Sequence, residues 1–141
     1  MPDNARAAML GRVLQRGRAV DQRMNYDTTE NRHKNASREA VEKLAAEEGI
    51  VANQLAIKWI VPFHVEAVTR LLSRSKKIII IENNFTGQFA RYLRSETGIA
   101  AHGHIRKYDG EPFMPHHIVN AVKEQLAGKS KLSVPQHEIM V

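Results

Sequence analysis

An α/β fold with a three-layer parallel sheet is predicted by the order of strand-like and helix-like segments along the chain. Apolar segments of strand length alternate with segments whose apolar residues recur at helical spacing. The run Lys76–Ile81 is apolar at every position after its two lysines. A strand without alternation is expected to be buried on both faces, as in a parallel sheet that helices cover on each side. Alternating strands and helices also imply parallel crossover connections.

Helices and strands can be assigned in order from Asn35 onward. Asn35 or Ser37 can cap a first helix, which Gly49 ends. The segments that follow are a strand over Ile50–Val61, a short helix over 65–72, the strand Lys76–Ile81, a helix over 86–97, a weaker strand over Ile99–Tyr108 and a helix that begins at Pro115 and ends at Gly128.

The two ends of the chain are predicted to lie outside this domain. Residues 5–24 show helical spacing of apolar residues and are interpreted as an amphipathic helix. Residues 25–35 contain no aliphatic residue and are interpreted as a linker or an exposed loop. The predicted divisions are a basic N-terminal helix and linker over 1–34, an α/β domain over 35–128 and a tail over 129–141.

Composition limits the function classes that this chain can belong to. The sequence has 141 residues and no cysteine, which excludes disulfides and ligation of an iron–sulfur cluster by its own thiolates. The formal net charge is +6, but basic residues alternate with apolar ones and aromatic residues are few. These features favour docking to a partner subunit over nucleic-acid binding. The absence of cysteine suits a reducing compartment, and the sequence shows neither a membrane-length apolar run nor the apolar stretch of a secretory signal, so we expect a cytoplasmic location.

A candidate site lies where the Lys76–Ile81 strand ends in polar residues. Ligands of open parallel sheets bind beyond the carboxyl ends of the strands, and the start of the next helix offers backbone N–H groups to an anion. A purely structural interpretation has Asn83 or Asn84 in a left-handed turn, Thr86 as helix cap and Gly87 allowing close approach. The candidate interface or anion-site residues are Glu82, Asn83, Asn84, Thr86, Gly87 and Gln88.

Histidines suggest a metal site, but their spacing does not support one. His102 and His104 alternate on a predicted strand, and His116 and His117 follow at a predicted helix start. No cysteine, aspartate or glutamate is spaced to complete a tetrahedral set with them. We therefore interpret these histidines as exposed structural residues and assign no metal ligand.

Four segments between Arg38 and Ala127 point to a known family. In chain order they are REAVEKLAAEEGI, a strand ending in IVPF followed by a helix with VEAV, KKIIIIENNFTGQFARYLRSETGI and RKYDGEPFMPHHIVNAVKEQL. This part, about two-thirds of the chain, resembles the C-terminal domain of the alpha subunit of 2-oxoacid:ferredoxin oxidoreductases, most closely the 2-oxoglutarate type. The resemblance implies a transketolase C-terminal-like fold. It also implies an enzyme that decarboxylates a 2-oxoacid on thiamine diphosphate, reduces ferredoxin through an iron–sulfur cluster and releases an acyl-coenzyme A.

The resemblance places the cofactors and the chemistry elsewhere in the complex. In that family the beta subunit binds the diphosphate and magnesium, and an N-terminal domain of the alpha subunit holds the pyrimidine. We therefore expect a subunit-packing domain with no catalytic, cofactor-binding or metal residue, whose partners are the beta subunit and the N-terminal alpha portion. The alternative is a free-standing α/β module that binds an anionic ligand at the strand end between Glu82 and Thr86.

One segment departs from the family pattern. Members have an apolar strand and a Gly-Ser-Thr turn before the REAVEKL helix, where this chain has NYDTTENRHKNAS. Met114 also stands where the family has a helix-capping threonine. We therefore expect the sheet to lack one strand and to expose an apolar edge. Such an edge recruits other chains, so the isolated chain is expected to oligomerise or aggregate.

Overall fold

The computed structural model describes residues 7–12, 29–57 and 60–136, with side chains described for 35–57 and 60–136. Within these ranges the structure shows a parallel sheet of five strands with helices on both faces, which confirms the predicted three-layer α/β fold. The elements are β1 (Ala7–Arg12), α1 (Thr29–Glu48), β2 (Ala52–Ile57), α2 (Val65–Ser73), β3 (Lys77–Glu82), α3 (Gln88–Thr97), β4 (Gly103–Arg106), α4 (Pro115–Leu126) and β5 (Leu132–Ser133).

The N-terminal segment contributes a strand to the interior of the sheet. The strand order is β2-β1-β3-β4-β5, and all neighbours are parallel. The predicted helix over 5–24 is therefore wrong at residues 7–12, while the rest of that range lies outside the described residues. A short apolar run such as AAMLG fits a buried strand as well as a helix face, so periodicity could not separate the two.

The strand predicted to be missing is thus present. β1 pairs with β2 on one side and with β3 on the other, with Leu10 in register with Leu55 and Ile80. Because β1 occupies this place in the sheet, a missing strand no longer gives a reason to expect an exposed apolar edge. Oligomerisation of the isolated chain stays a prediction, without that argument behind it. In the described part of the chain, β2 and β5 are the two edge strands.

The predicted linker and tail also need correction. Helix α1 begins at Thr29, so residues 29–35 are helical, and Asn35 and Ser37 lie inside the helix instead of capping it. Polar residues such as glutamate, arginine and lysine are good helix formers, which explains how a segment without aliphatic residues extends α1. At the other end, Leu132 and Ser133 pair with β4, so the predicted tail contributes to the sheet.

Strand β3 forms the centre of two separate apolar cores. Ile79 and Ile81 pack on one face with residues of α1 and α4, and Ile78 and Ile80 pack on the other with residues of α2 and α3. Their relative exposure is at most 4%. The alternation of side chains along a strand thus distributes the four isoleucines between the two layers, which confirms that the strand is buried on both faces.

The packing of α4 against β4 explains the glycine with which the fourth strand begins. The Gln125 amide nitrogen donates to the His104 carbonyl at 2.8 Å and to the Ser133 hydroxyl at 3.0 Å. Gly103 lies directly against this buried amide, so a Cβ at position 103 would overlap the Gln125 side chain. Glycine is therefore required by a tertiary contact and is compatible with the strand.

The described helices include none that is both long and apolar enough to cross a bilayer.

Candidate functional site

The carboxyl ends of β3 and β4 bring the candidate residues together. Glu82 ends β3 and is in register with Arg106, which ends β4. Beyond them the chain continues into the turn 83–87 before α3 and into the loop 107–114 before α4. This is the edge at which open parallel sheets bind their ligands, so the predicted position of the candidate site agrees with the topology.

The Glu82 carboxylate is bound by the start of helix α3. Its Oε1 accepts hydrogen bonds from the Phe89 backbone N–H at 2.6 Å and from the Asn84 side-chain amide at 3.0 Å, and its Oε2 accepts one from Ala90 N–H at 3.3 Å. The side chain is 1% exposed. A negative charge at a helix N-terminus is stabilised by the unpaired N–H groups and the helix dipole. The Glu82 carboxylate therefore occupies the place that an external anion would take at the start of α3.

Asn84 satisfies the remaining N–H groups of the same turn. Its Oδ1 accepts from Gly87 N–H at 2.7 Å and from Gln88 N–H at 3.3 Å. The left-handed residue is Gly87, with φ 68°, and the described non-glycine residues all have negative φ. The interpretation that Asn83 or Asn84 is left-handed is therefore wrong, and Asn84 performs the capping that was expected of Thr86.

These bonds bear on the two interpretations of the candidate site. At the start of α3, the four backbone N–H groups from Gly87 to Ala90 all donate hydrogen bonds to side-chain oxygens of Asn84 or Glu82. The next, of Arg91, bonds to the Gly87 carbonyl. The Asn83 amide donates to the Lys107 carbonyl at 3.4 Å. An external anion would have to displace Glu82, so the geometry favours a structural role for this helix start.

Substituting Glu82 by glutamine is expected to lower the free energy of unfolding by about 1–3 kcal/mol. The amide places an NH₂ group against backbone donors and removes the charge that stabilises the α3 start. The matched control is Glu66→Gln, because Glu66 is an exposed acidic residue in the first turn of α2. Urea unfolding of both variants measures the difference. Equal losses for the two substitutions would contradict the buried capping role.

A buried lysine organises the neighbouring loop, and sequence reasoning missed it. The Lys107 side chain is fully buried and forms an ion pair with Asp109. Its ammonium also donates to the Glu111 carbonyl at 3.2 Å, and Asp109 accepts from Glu111 N–H at 3.0 Å. Lys107 and Asp109 stand two residues apart in the KYDGEPF segment. The signal available in the sequence was this Lys-x-Asp-Gly spacing, which is typical of a turn closed by an aspartate.

Arg106 connects the two loops. Its guanidinium donates to the Phe85 carbonyl at 3.3 Å and lies directly against Gly87. His104, two residues before it in β4, is partly buried and its Nδ1 has no hydrogen-bond partner. Burial lowers the pKa of the His104 imidazole, the Arg106 charge lowers this pKa further, and the Glu82 carboxylate opposes both effects. His104 thus stays neutral to a lower pH than an exposed histidine.

Two further histidines, His102 and His117, have structural contacts. His102 Nδ1 accepts from Ile78 N–H at 3.0 Å, and His117 Nδ1 accepts from Met114 N–H at 3.0 Å. The second bond fixes the start of α4, where Met114 stands in place of the helix-capping threonine of the family. His117 is buried, and His104 is partly buried, so the prediction that these histidines are exposed is wrong for both.

We tested whether the residues present suit the cofactors that the family resemblance implies. Within residues 35–57 and 60–136, no three histidine, aspartate or glutamate side chains converge in a way that could hold a metal ion. The sequence has no cysteine for an iron–sulfur cluster. The described residues therefore do not fit a magnesium or cluster site.

Comparison with known proteins gives consistent results in sequence and in structure. The chain is 32% identical over 99 residues to 2-oxoacid:ferredoxin oxidoreductase 2, subunit alpha, of Aeropyrum pernix, which covers 70% of this chain and 15% of that protein. It is 32% identical over 90 residues to the 2-oxoacid:ferredoxin oxidoreductase subunit alpha of Saccharolobus solfataricus, covering 64% and 14%. The chain therefore spans only a small part of these relatives. No family model matches it.

A solved structure supports the same assignment of the fold. The 2-oxoglutarate:ferredoxin oxidoreductase of Magnetococcus marinus, with 2-oxoglutarate, coenzyme A and succinyl-CoA bound, superposes with a TM-score of 0.65 at 27% identity. The match covers 87% of this chain and 18% of that chain. It thus extends beyond the 99 residues of the sequence match.

Proposed function

Because the chain belongs to the 2-oxoacid:ferredoxin oxidoreductase family as a homologue of one segment of the alpha subunit, we propose that it is a subunit-packing domain of such a complex. The complex would oxidise a 2-oxoacid to an acyl-coenzyme A and reduce ferredoxin. The observation that carries the packing role is the bonding of Glu82, which is buried and fully used by the start of α3. The helix start expected to hold a ligand is thus bonded by the chain's own side chains.

The chemistry of the proposed complex would reside in its other parts. Thiamine diphosphate, magnesium and the iron–sulfur cluster would be bound by the beta subunit and by the N-terminal portion of the alpha subunit. This chain would supply a rigid α/β body against which those parts pack. The similarity to the Magnetococcus marinus enzyme supports 2-oxoglutarate as the 2-oxoacid. The polar side chains among residues 82–88 would contribute by fixing the loop geometry at the sheet edge, without touching substrate.

Reconstitution tests this proposal. The chain alone, supplied with 2-oxoglutarate, thiamine diphosphate, magnesium, coenzyme A and ferredoxin, is expected to form no succinyl-coenzyme A. Mixing it with the companion beta subunit and N-terminal alpha polypeptide of the same organism is expected to give a stable complex that reduces ferredoxin. Companion polypeptides alone serve as the control. Product formed by the chain alone, or full activity of companions that never bind the chain, would refute the packing role.

A further inference from the structure

Arg106 carries a positive charge that no carboxylate neutralises in the part of the chain that the structure describes. Its Nη1 donates to the Phe85 carbonyl at 3.3 Å, a bond that lies at the surface, and its Nε is buried without a hydrogen-bond partner. An arginine has five N–H donors, and its planar fork matches the two oxygens of a carboxylate. The guanidinium of Arg106 therefore has unused capacity to bind an anion.

The acidic residues on the same sheet edge are engaged elsewhere or stay apart from Arg106. Glu82 is in register with Arg106 on the neighbouring strand, but its carboxylate is bonded by backbone N–H groups at the start of α3. Asp109 is paired with Lys107, and the exposed Glu111 forms no ion pair with Arg106. Burial of a charge is unfavourable unless the charge is paired, and Arg106 is partly buried. Its charge thus favours a carboxylate from outside the described chain.

Two exposed aromatic rings lie beside this guanidinium. Phe85 is 67% exposed and Tyr108 is 49% exposed. Their ring centroids are 5.1 Å apart and the ring planes are at 90°, an edge-to-face contact. Phe85 supplies the carbonyl that Arg106 contacts, and Tyr108 follows Arg106 by two residues. We call these three residues the cationic aromatic patch. Arginine and aromatic residues are the types enriched in protein interfaces.

Both loops that carry the cationic aromatic patch are fixed from within the chain. In the turn before α3, Asn84 bonds to the Glu82 carboxylate and to the Gly87 backbone. In the loop after β4, Lys107 and Asp109 form an ion pair on either side of the exposed tyrosine. Little conformational freedom is therefore left to lose when a partner covers the patch, which lowers the entropic cost of binding.

The combination of charge and rings indicates the chemistry of the partner. A free inorganic anion would pair with the guanidinium but leave both rings in water. An uncharged apolar segment would cover the rings but desolvate the charge without pairing it. A polypeptide segment in which an aspartate or glutamate adjoins apolar side chains meets both requirements.

We propose that the cationic aromatic patch is the docking site for an acidic segment of a partner subunit, whose carboxylate pairs with Arg106 while neighbouring apolar side chains cover Phe85 and Tyr108. The partner carboxylate would add a charge-assisted hydrogen bond, roughly twice as strong as one to a neutral acceptor such as the Phe85 carbonyl. This inference rests on the proposed packing function and identifies a surface at which the packing occurs.

The test measures binding of the full chain to the companion beta subunit and to the N-terminal alpha polypeptide, each produced separately. Arg106→Gln removes the charge and keeps hydrogen-bond donors, whereas Arg106→Lys keeps the charge. Arg70→Gln is the matched control, because Arg70 is an exposed arginine on α2. For the companion that carries the acidic segment, Arg106→Gln is expected to raise the dissociation constant at least about 30-fold, Arg106→Lys by less, and the control by less than about threefold.

Two further measurements separate the charge from the rings. Raising the NaCl concentration from about 0.05 M to about 0.5 M is expected to weaken wild-type binding more than binding of Arg106→Gln, because salt screens the ion pair. Phe85→Ser and Tyr108→Ser are each expected to raise the dissociation constant at least about tenfold. Their control is Leu71→Ser, since Leu71 is 47% exposed on α2. Thermal melts verify that each variant is folded, and Arg106→Lys with the salt series decides the charge if Arg106→Gln unfolds.

Each outcome separates this inference from the proposed function. Wild-type binding that Arg106→Gln leaves unchanged would overturn the acidic segment and leave the packing function intact, whether or not the ring variants weaken it. No wild-type binding to either companion would overturn both proposals. A thermal shift caused by acetate or inorganic phosphate that Arg106→Gln abolishes, with companion binding unaffected, would identify a free anion as the occupant. Self-association that Arg106→Gln abolishes, without companion binding, would identify a second copy and overturn the proposed partner.

Discussion

Replacing Asp109 by alanine is expected to lower the free energy of unfolding by about 3–5 kcal/mol, the usual cost of breaking a buried ion pair from one side. The Lys107 side chain is fully buried, and Asp109 is the anion paired with it. Without that carboxylate, the ammonium keeps one acceptor, the Glu111 carbonyl at 3.2 Å. The Glu111 N–H also loses its acceptor, so the loop over 107–111 is expected to open.

Lys107→Met is the informative comparison for this substitution. Methionine fills a similar volume without a charge, and the Asp109 carboxylate that remains is 27% exposed and can be hydrated. Replacement of a buried charge by an apolar group of similar size is often nearly neutral, so we expect a loss well below that of Asp109→Ala. Urea unfolding curves measure both. A Lys107→Met variant that is the less stable of the two would show that the buried charge itself holds the loop.

The layer structure could be predicted because it follows from strong local patterns. Four consecutive isoleucines can be buried only if both faces of their strand are covered, and the structure distributes Ile78–Ile81 between two cores in this way. Gly49 and Gly98 end helices by adopting positive φ, which the sequence also indicated. These features depend on residues close together in sequence, and the family resemblance added the order of the segments.

The remaining features depend on contacts between distant parts of the chain. β1 is a strand because β2 and β3 lie on either side of it, whereas its own apolar spacing was compatible with a helix. Asn84 was predicted to be a turn residue. Its capping of α3 also depends on the Glu82 carboxylate, which accepts a hydrogen bond from the Asn84 side-chain amide. Lys107 was an ordinary basic residue in the sequence, and only the loop that closes over it makes it a buried charge.

Gly87→Val is expected to lower the free energy of unfolding by about 2–5 kcal/mol, from backbone strain and overcrowding together. Gly87 has φ 68° and ψ 47°, a conformation in which a β-branched residue is strongly disfavoured. A Cβ at this position would also lie 2.7 Å from Arg106 Cζ. Crowding was predicted between the α3 start and the strand. The group that causes it is the Arg106 side chain from β4.

Two further variants separate strain from crowding. Gly98 has φ 75°, and no described atom lies within 4 Å of a Cβ built there, so Gly98→Val measures the strain alone. Introducing Gly87→Val into an Arg106→Ala background removes the crowding partner. The cost of the valine is then expected to fall to roughly that of Gly98→Val, because only the positive φ remains unfavourable. If Gly87→Val costs the same with and without the Arg106 side chain, as measured by urea unfolding, the guanidinium moves aside freely and does not constrain position 87.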